Sequence, residues 1–506
     1  MTVSYVTTSI PYVNANPHLG HALEFCIADA YARWRRSRAA RVHFVTGTDD
    51  HSLKNVLAAQ QAGVPTAQWV AEHAQAFQTL NARLAVSADA FVRTSADESH
   101  APAVRALWQA CAARGDLYRR TYRGLYCVGC ERFFELEELV DGRCPDHGVA
   151  PEEVAEENWF FRLSRYRDVV REAIESGRLR IVHDGAREEA LAFLGGEVRD
   201  LSVSRSAARA RGWGLPVPGD PSQVIWVWFD ALAYYLAALG YGGPDPRRFE
   251  TFWCTSAERV HVIGKGIARF HTVFWPAFLA SAGLPLPTDL LVHGHLTLDG
   301  AKISKSGRSL DPLPLIDSHG AEALRYYLLR HVRTSRDADF SVDRFTTAYN
   351  ADLANGLGNL ASRVFALVEQ ATGGTIPKAG LETPDDAELR SCALAVRGQV
   401  DEAFSRLSLD EALGAIFGLV EHANRHIARQ APWALLRAGN RDRAEAILRS
   451  LLEALRVVAE ECAPFLPATA EALHRRLGTV GPASRGWNVL PTGARLGPGG
   501  ALFPRL

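Results

Sequence analysis

Residues 3–8, Val3-Ser4-Tyr5-Val6-Thr7-Thr8, are mostly β-branched or aromatic, and a loop rich in Pro and Asn leads from them into a helical run from Pro17 to about Arg38. A strand feeding a helix through a short polar loop is the opening of a nucleotide-binding α/β fold. Val42-His43-Phe44-Val45-Thr46-Gly47-Thr48-Asp49 reads as a second strand ending in polar residues, the place where open α/β sheets carry ligands. Helices are expected over about 53–115. From 115 to 154 the periodicity breaks into short strands, turns and clustered cysteines, which predicts a small inserted module. Sheet-like signal returns at 223–229 and 260–263, so the α/β domain is expected to be split. Past Phe345, Leu, Ala and Val recur at helical spacing to about 478, which predicts an all-helical domain, followed by a Gly-, Pro- and Arg-rich end.

The chain has 506 residues, too many for one hydrophobic core, so three to five domains are expected. No stretch approaches the roughly 20 apolar residues of a membrane span. The N-terminus lacks a basic start and a long apolar run, so a soluble, cytoplasmic protein is the expectation. A net charge of −1 excludes a generally basic nucleic-acid coat but leaves room for a local one. Cys26, Cys111, Cys254, Cys392 and Cys462 are scattered, as reduced thiols of a reducing compartment would be. The only methionine is Met1. Codon bias accounts for part of that depletion; a chain made when methionine is scarce and protection from methionine oxidation are the other readings.

Two loops carry nucleotide chemistry. Asn14-Ala15-Asn16-Pro17-His18-Leu19-Gly20-His21 offers an Asn N-cap, a Pro at the first helical position and two histidines on one face of the first turn, beside unpaired backbone N–H groups suited to polyphosphate. Gly20 leaves room for a base or ribose. Two capping or core histidines are the alternative. Ala301-Lys302-Ile303-Ser304-Lys305-Ser306-Gly307 places two of five lysines on one small loop, which can close over a triphosphate and steady a pyrophosphate leaving group. An ordinary basic surface loop is the alternative there.

A third signal is metallic. Cys127-x2-Cys130 and Cys144-x2-His147, separated by 13 residues, have the spacing of a zinc knuckle, and four such ligands complete tetrahedral Zn²⁺ with no catalytic water.

Together, His18-Leu19-Gly20-His21 and Lys302-Ile303-Ser304-Lys305-Ser306 resemble the HIGH and KMSKS signatures of class I aminoacyl-tRNA synthetases. Within that class the chain resembles methionyl-tRNA synthetases over roughly residues 3–475. Thr7–Asn14, Thr46-Gly47-Thr48-Asp49-Asp50-His51, Val227–Leu232 and Phe270–Pro276 carry the likeness. It implies a Rossmann-like catalytic domain at 1–115 and 216–295, split by a zinc-bearing insertion at 116–215. A signature-loop region at 296–345, a helical anticodon-binding domain at 346–478 and a tail at 479–506 complete the expected order.

The resemblance further implies methionine–tRNA ligation using ATP, Mg²⁺ and one structural Zn²⁺, with L-methionine and tRNA(Met) as partners and a monomeric state. His18, Gly20, His21, Lys302 and Lys305 would hold ATP. Tyr12, Trp228, Leu232, Tyr235, Ile267, His271 and Trp275 would line the methionine side-chain pocket, with Ser9 and Ile10 at its floor; aromatic walls suit a polarisable thioether. Asp49 would take the ammonium, with Arg205 as its ion-pair partner. Asn359, Arg363 and Trp433 would read anticodon bases by hydrogen bonding and stacking.

Three positions depart from the family pattern: Ser52 for Gly, Gly266 where Gly-Lys-Asp is usual, and Ile303 for Met. Loss of a carboxylate at 266, near the nucleotide ribose, weakens ATP binding or moves the contact elsewhere. Two other readings remain open at this point, an adenylate-forming paralogue with a small-molecule acceptor and an inactive tRNA-binding regulator. Asn359, Arg363 and Trp433 speak against the first, and His18, His21, Asp49 and Lys305 against the second.

Overall fold

The computed structural model describes residues 2–129, 132–134, 136–145, 148–298, 301–302, 310–479 and 486–504. Among these, six parallel strands form the main sheet: β1 (Val3–Thr8), β2 (Arg41–Thr48), β3 (Ala90–Arg93), β7 (Arg180–Val182), β12 (Glu258–Gly264) and β13 (Asp289–His293), in the order β3-β2-β1-β12-β13-β7. Along β1, Tyr5 packs into one core and Val6 into the other, because successive strand residues face opposite sides and both faces are covered. The chain leaves β1 for β2 on one side and returns as β12 on the other. The crevice at the C-terminal ends of β1 and β12 is thus the switch point where such sheets bind ligands.

An antiparallel sheet of β4 (Leu117–Cys127), β5 (Arg132–Phe134), β6 (Glu152–Phe161) and β8 (Leu201–Ser202) forms the inserted module. A second small sheet joins β9 (Ser204–Ser206), β10 (Pro216–Val217) and β11 (Asp220–Ile225). A third joins β14 (Leu296–Leu298), β15 (Ala301–Lys302) and β16 (Ala338–Phe340).

These strands correct three expectations. Residues 180–182, placed in the insertion by sequence, are the edge strand of the main sheet, too short to show a pattern. β3 interrupts the run expected to be helical over 53–115. Gln223–Ile225 belong to the small β9–β11 sheet, and Val227–Leu232 are helical.

Helix α1 (Leu19–Ser37) crosses from β1 to β2, and its far end is fastened to the helical part of the chain. Trp34 stacks flat on Phe404, and its Nε1 donates to Asp401; Arg38 donates to both Asp401 and Glu461. Midway, buried Asp29 pairs at 2.7 Å with fully buried Arg325, which also donates to the carbonyls of Leu84, Pro464 and Phe465. One apolar core runs without a break from Val6 and α1 into helices 384–405, 409–430 and 441–462.

The segment expected as a tail packs back on that domain. Leu490 N–H donates to buried Glu453, Arg449 and Arg456 donate to the carbonyls of Leu490 and Gly486, and Leu496 N–H donates to the Gly374 carbonyl. No described helix is long and apolar enough to cross a membrane.

Candidate active site

A cleft of about 1360 Å³ opens at the switch point and gathers Ser9, Ile10, Tyr12, His18, Gly20, His21, Asp49, Trp228, Leu232, Tyr235, Ile267 and His271. These residues are up to 262 positions apart in sequence and come together because the loops after β1, β2 and β12 share one edge of the sheet.

Helix α1 begins at Leu19, two residues later than the expected start at Pro17; His18 is the N-cap, in extended backbone. His18 Nδ1 accepts from Gly20 N–H at 3.1 Å, and His21 Nδ1 accepts from His18 N–H at 3.0 Å. The rings stack at 3.8 Å. With both Nδ1 atoms accepting, each neutral ring carries its proton on Nε2, a donor suited to phosphate oxygen. The capping and phosphate-binding readings are therefore compatible, since capping uses only the Nδ1 atoms. A Cβ on Gly20 would lie 2.9 Å from His18 Cε1, so this glycine first of all makes room for the His18 ring.

The floor is set by Glu24, one turn beyond His21. Its Oε1 accepts from Ser9 N–H (2.8 Å) and Oγ (2.6 Å), and its Oε2 lies 3.1 Å from His293 Nε2. Sequence reasoning passed over Glu24, although its i+3 spacing from His21 was visible.

The aromatic wall is fixed by hydrogen bonds. Trp228 stacks on Phe270 at 3.7 Å, and Tyr12 stands 6.2 Å from Trp228. A π-helical turn, Phe270–Phe274, carries His271; such turns recur at functional sites. His271 Nδ1 must donate to the Ile267 carbonyl (2.9 Å), so Nε2 accepts the Tyr235 hydroxyl proton (2.7 Å). Burial pushes the His271 imidazole down to about 4 and keeps it neutral. Trp275, expected in the wall, stands one layer back. It is fully buried, 5.7 Å from Tyr235, and does not line the cleft.

Asp49 is buried at the end of β2, where its backbone bridges to Tyr12. Its Oδ1 accepts from His51 N–H at 2.9 Å. Behind it, the Asp230 carboxylate is gripped by His51 Nδ1 (2.7 Å) and His100 Nε2 (2.5 Å). Burial would raise Asp230, but the two imidazoles hold it far below the usual carboxylate range. Burial would lower His51, but Asp230, Asp49 and Asp50 raise it. No role was read for these three residues in the sequence. The cluster joins positions 130 and 179 apart, and only Asp230 and His51 fell in recognisable segments.

Arg205 does not line the main cleft. It lies in a small neighbouring pocket with His51, Tyr126 and Trp213, where its Nη1 donates to the Ser204 carbonyl (2.7 Å) and Ser202 Oγ (3.0 Å). His51, which shares this pocket, is the residue whose N–H donates to Asp49.

Lys302 is placed as backbone in β15, opposite Thr297; Lys305 lies outside the described residues. Of the expected metal ligands, Cys127 and Cys144 are both 1% exposed and share a small cluster with Phe134. Bringing two soft ligands from separate hairpins together is what a shared tetrahedral site requires. Cys130 and His147 lie outside the described residues. At the other end of the chain, Asn359 and Arg363 share a face of helix Asn359–Thr372, and the Arg363 guanidinium lies 5.3 Å from the Trp433 ring, at the start of helix Pro432–Arg437.

Comparison with known proteins shows the family. The family described as tRNA synthetases class I (M) matches residues 4–152 and 136–365, and the anticodon binding domain of methionyl tRNA ligase matches 376–503. The second match runs through most of the segment expected as a tail, while Asn359 and Arg363 fall in the first. A methionine–tRNA ligase of Clostridium perfringens is 38% identical over 508 residues, covering 99% of this chain and 78% of that one. One of Brucella suis is 40% identical over 474 residues, covering 93% and 90%. Mycobacterium tuberculosis methionyl-tRNA synthetase in complex with methionyl-adenylate superposes with a TM-score of 0.94 at 37% identity, both chains fully covered. Its free-state structure gives 0.87 at 35% identity, covering 100% of this chain and 98% of that one. With both family matches in chain order and relatives near 40% identity over almost its whole length, this chain belongs to the methionine–tRNA ligases, within the class I aminoacyl-tRNA synthetases.

Proposed function

We propose that the chain activates L-methionine with ATP and transfers it to the 3′-terminal adenosine of tRNA(Met), using the residues gathered in the cleft. The observation that carries this is the junction, in one cavity, of a histidine-capped helix N-terminus with an aromatic cage and the Asp49 carboxylate. Asp49 takes the methionine ammonium. Tyr12, Trp228, Leu232, Tyr235 and Ile267 surround the thioether, while neutral His271, its Nδ1–H spent on Ile267, keeps a charge out of the cage. Trp275 acts on that cage from behind, through Tyr235, and Arg205 acts on Asp49 through the strand and loop that hold His51.

ATP enters as its Mg²⁺ complex, the metal neutralising phosphate charge. A methionine carboxylate oxygen attacks the α-phosphorus, the bond to the bridging oxygen of the β-phosphate breaks, and pyrophosphate leaves. The His18 and His21 Nε2–H groups and the α1 N-terminus hold the phosphates in line, and Lys302 and Lys305 meet the departing charge. The terminal adenosine hydroxyl then attacks the methionyl carbonyl carbon, and AMP leaves. Positioning and charge stabilisation suffice, with no protein nucleophile.

Cys127, Cys130, Cys144 and His147 would hold one Zn²⁺, which shapes the inserted module. Asn359, Arg363 and Trp433 would read the anticodon. A cytoplasmic monomer completes the reading. The decisive experiment is ATP–pyrophosphate exchange with each of the twenty amino acids. Methionine alone should support rapid exchange; exchange driven by another amino acid, or by none, would refute the assignment.

A further inference from the structure

The carboxylate proposed for the ammonium and the wall proposed for the thioether belong to different elements. Asp49 follows β2, whereas Trp228, Ala231 and Leu232, which line the cleft, lie on helix Val227–Leu232. One amino acid can meet both only if their separation is fixed. Asp230 sits on that same short helix, just after Trp228, but it is 1% exposed and does not line the cleft. A carboxylate buried this deep needs a partner for each oxygen. Asp230 Oδ1 accepts from His100 Nε2 at 2.5 Å, and Oδ2 accepts from His51 Nδ1 at 2.7 Å.

The two histidines differ in what lies behind them. His100 opens helix His100–Ala113 and is fully buried; among the described residues its Nδ1 meets no partner, so the ring serves to fix one side of Asp230. His51 leads onward to the cleft, because its backbone N–H donates to Asp49 Oδ1 at 2.9 Å, with Thr94 Oγ1 at a longer 3.4 Å. Residue 51 is thus held through its ring by the cage helix and holds Asp49 through its backbone. Trp213 Nε1 on the Asp50 carbonyl, Arg93 on the Asp50 carboxylate and Asn55 on the Asp49 carbonyl fix the path of the loop. Those three bonds end on Asp50 and on the Asp49 backbone, not on the Asp49 carboxylate.

We infer that Asp230 is a positioning residue for methionine: by gripping the His51 ring it sets the Asp49 carboxylate at a fixed reach from the Trp228 wall, so that ammonium and thioether are recognised together. The inference rests on Asp49 as the ammonium site, proposed above. Without the grip, the His51 ring is released and the N–H that orients Asp49 loosens. The cage keeps its own support, the stacking of Trp228 on Phe270. The effect should therefore fall on the ammonium and spare the thioether.

The test uses two probes that differ only in the amine, L-methioninol and 4-(methylthio)butan-1-ol, with equilibrium binding followed by calorimetry. The unsubstituted chain should bind methioninol about 30-fold more tightly, the worth of a charge-assisted hydrogen bond. Asp230→Asn, which keeps the shape but not the charge, should weaken methioninol about tenfold and leave the butanol within about twofold. His51→Ala should show the same selective loss, and the double variant no more than either alone, since both act in one chain of contacts. His51→Gln, whose amide can still donate to Asp230, should keep part of the preference. In pyrophosphate exchange, the Asp230→Asn KM for methionine should rise about tenfold while that for ATP stays within about twofold. If Asp230→Asn does not fold, the His51 variants carry the same test. Equal weakening of both probes, losses that add in the double variant, or a parallel rise in the KM for ATP would make Asp230 a packing residue. A preference kept in full by Asp230→Asn would overturn this inference alone. An unsubstituted chain that binds both probes alike would overturn the ammonium site and this inference with it.

Discussion

At the scale of single residues, hydrogen-bond direction decides the chemistry of the histidines. The tautomers of His18 and His21 place the ring proton on Nε2, whereas that of His271 spends its donor on the Ile267 carbonyl. Burial also sets a pH dependence. The His271 pKa is pushed down to about 4 and that of His261 well below its ordinary value, so both stay neutral in the folded chain, while the unfolded chain protonates them near about 6.5. The stability they confer is fully present above about pH 6.5 and drains away as pH falls toward 4; His271 alone accounts for about 3 kcal/mol. His51, raised by its carboxylates, has the opposite sign, and its contribution is lost as pH rises through its elevated pKa. Urea midpoints should therefore drop between pH 7.5 and 5, and drop less steeply in His271→Asn. An equally steep fall in that variant would locate the proton uptake elsewhere. The His18–His21 pair was legible from sequence because both residues lie in one helical turn. The Asp230–His51–His100 cluster was not, because no local pattern announces a contact between three separate loops.

Elements show the same division. The first strand, first helix and helical domain were legible as runs of periodic residues. β3 and β7, four and three residues long, carry too little pattern to be told from loop and exist because neighbouring strands complete them. The helix boundary at Leu19 moved because a histidine cap outcompeted the Asn-Pro signal. Two elements carry predictions. If the hairpins of the inserted module are joined by metal, purified protein should retain one Zn²⁺ per chain after dialysis. Cys144→Ala should lose the metal and expose residues 117–161 to proteolysis, whereas metal-free protein with an intact module would disprove the site. Helix Pro432–Arg437 presents Trp433 beside Arg363, and base stacking on an aromatic is worth roughly 1–3 kcal/mol. Trp433→Ala should thus cut aminoacylation efficiency between about five- and 150-fold and leave pyrophosphate exchange intact. A matching fall in exchange would make Trp433 a packing residue.

For the molecule as a whole, division into a sheet-based half and a helical half was readable from the change in period near Phe345, but the intimacy of the two halves was not. Sequence gave no hint that Arg325 would be buried between them, or that residues 486–504 would be stitched to Glu453, Arg449 and Arg456. These contacts join segments far apart in the chain, and each partner alone looks like a surface charge. The largest consequence concerns α1. Its 19 residues span roughly 28 Å, with His18 and His21 at one end and Trp34 and Arg38 clamped to Asp401 and Glu461 at the other. One helix thus carries the edge of the cleft at its start and is clamped to the helical domain at its end. Whatever the cleft and the helical domain each hold is therefore held at a separation that one continuous helix sets.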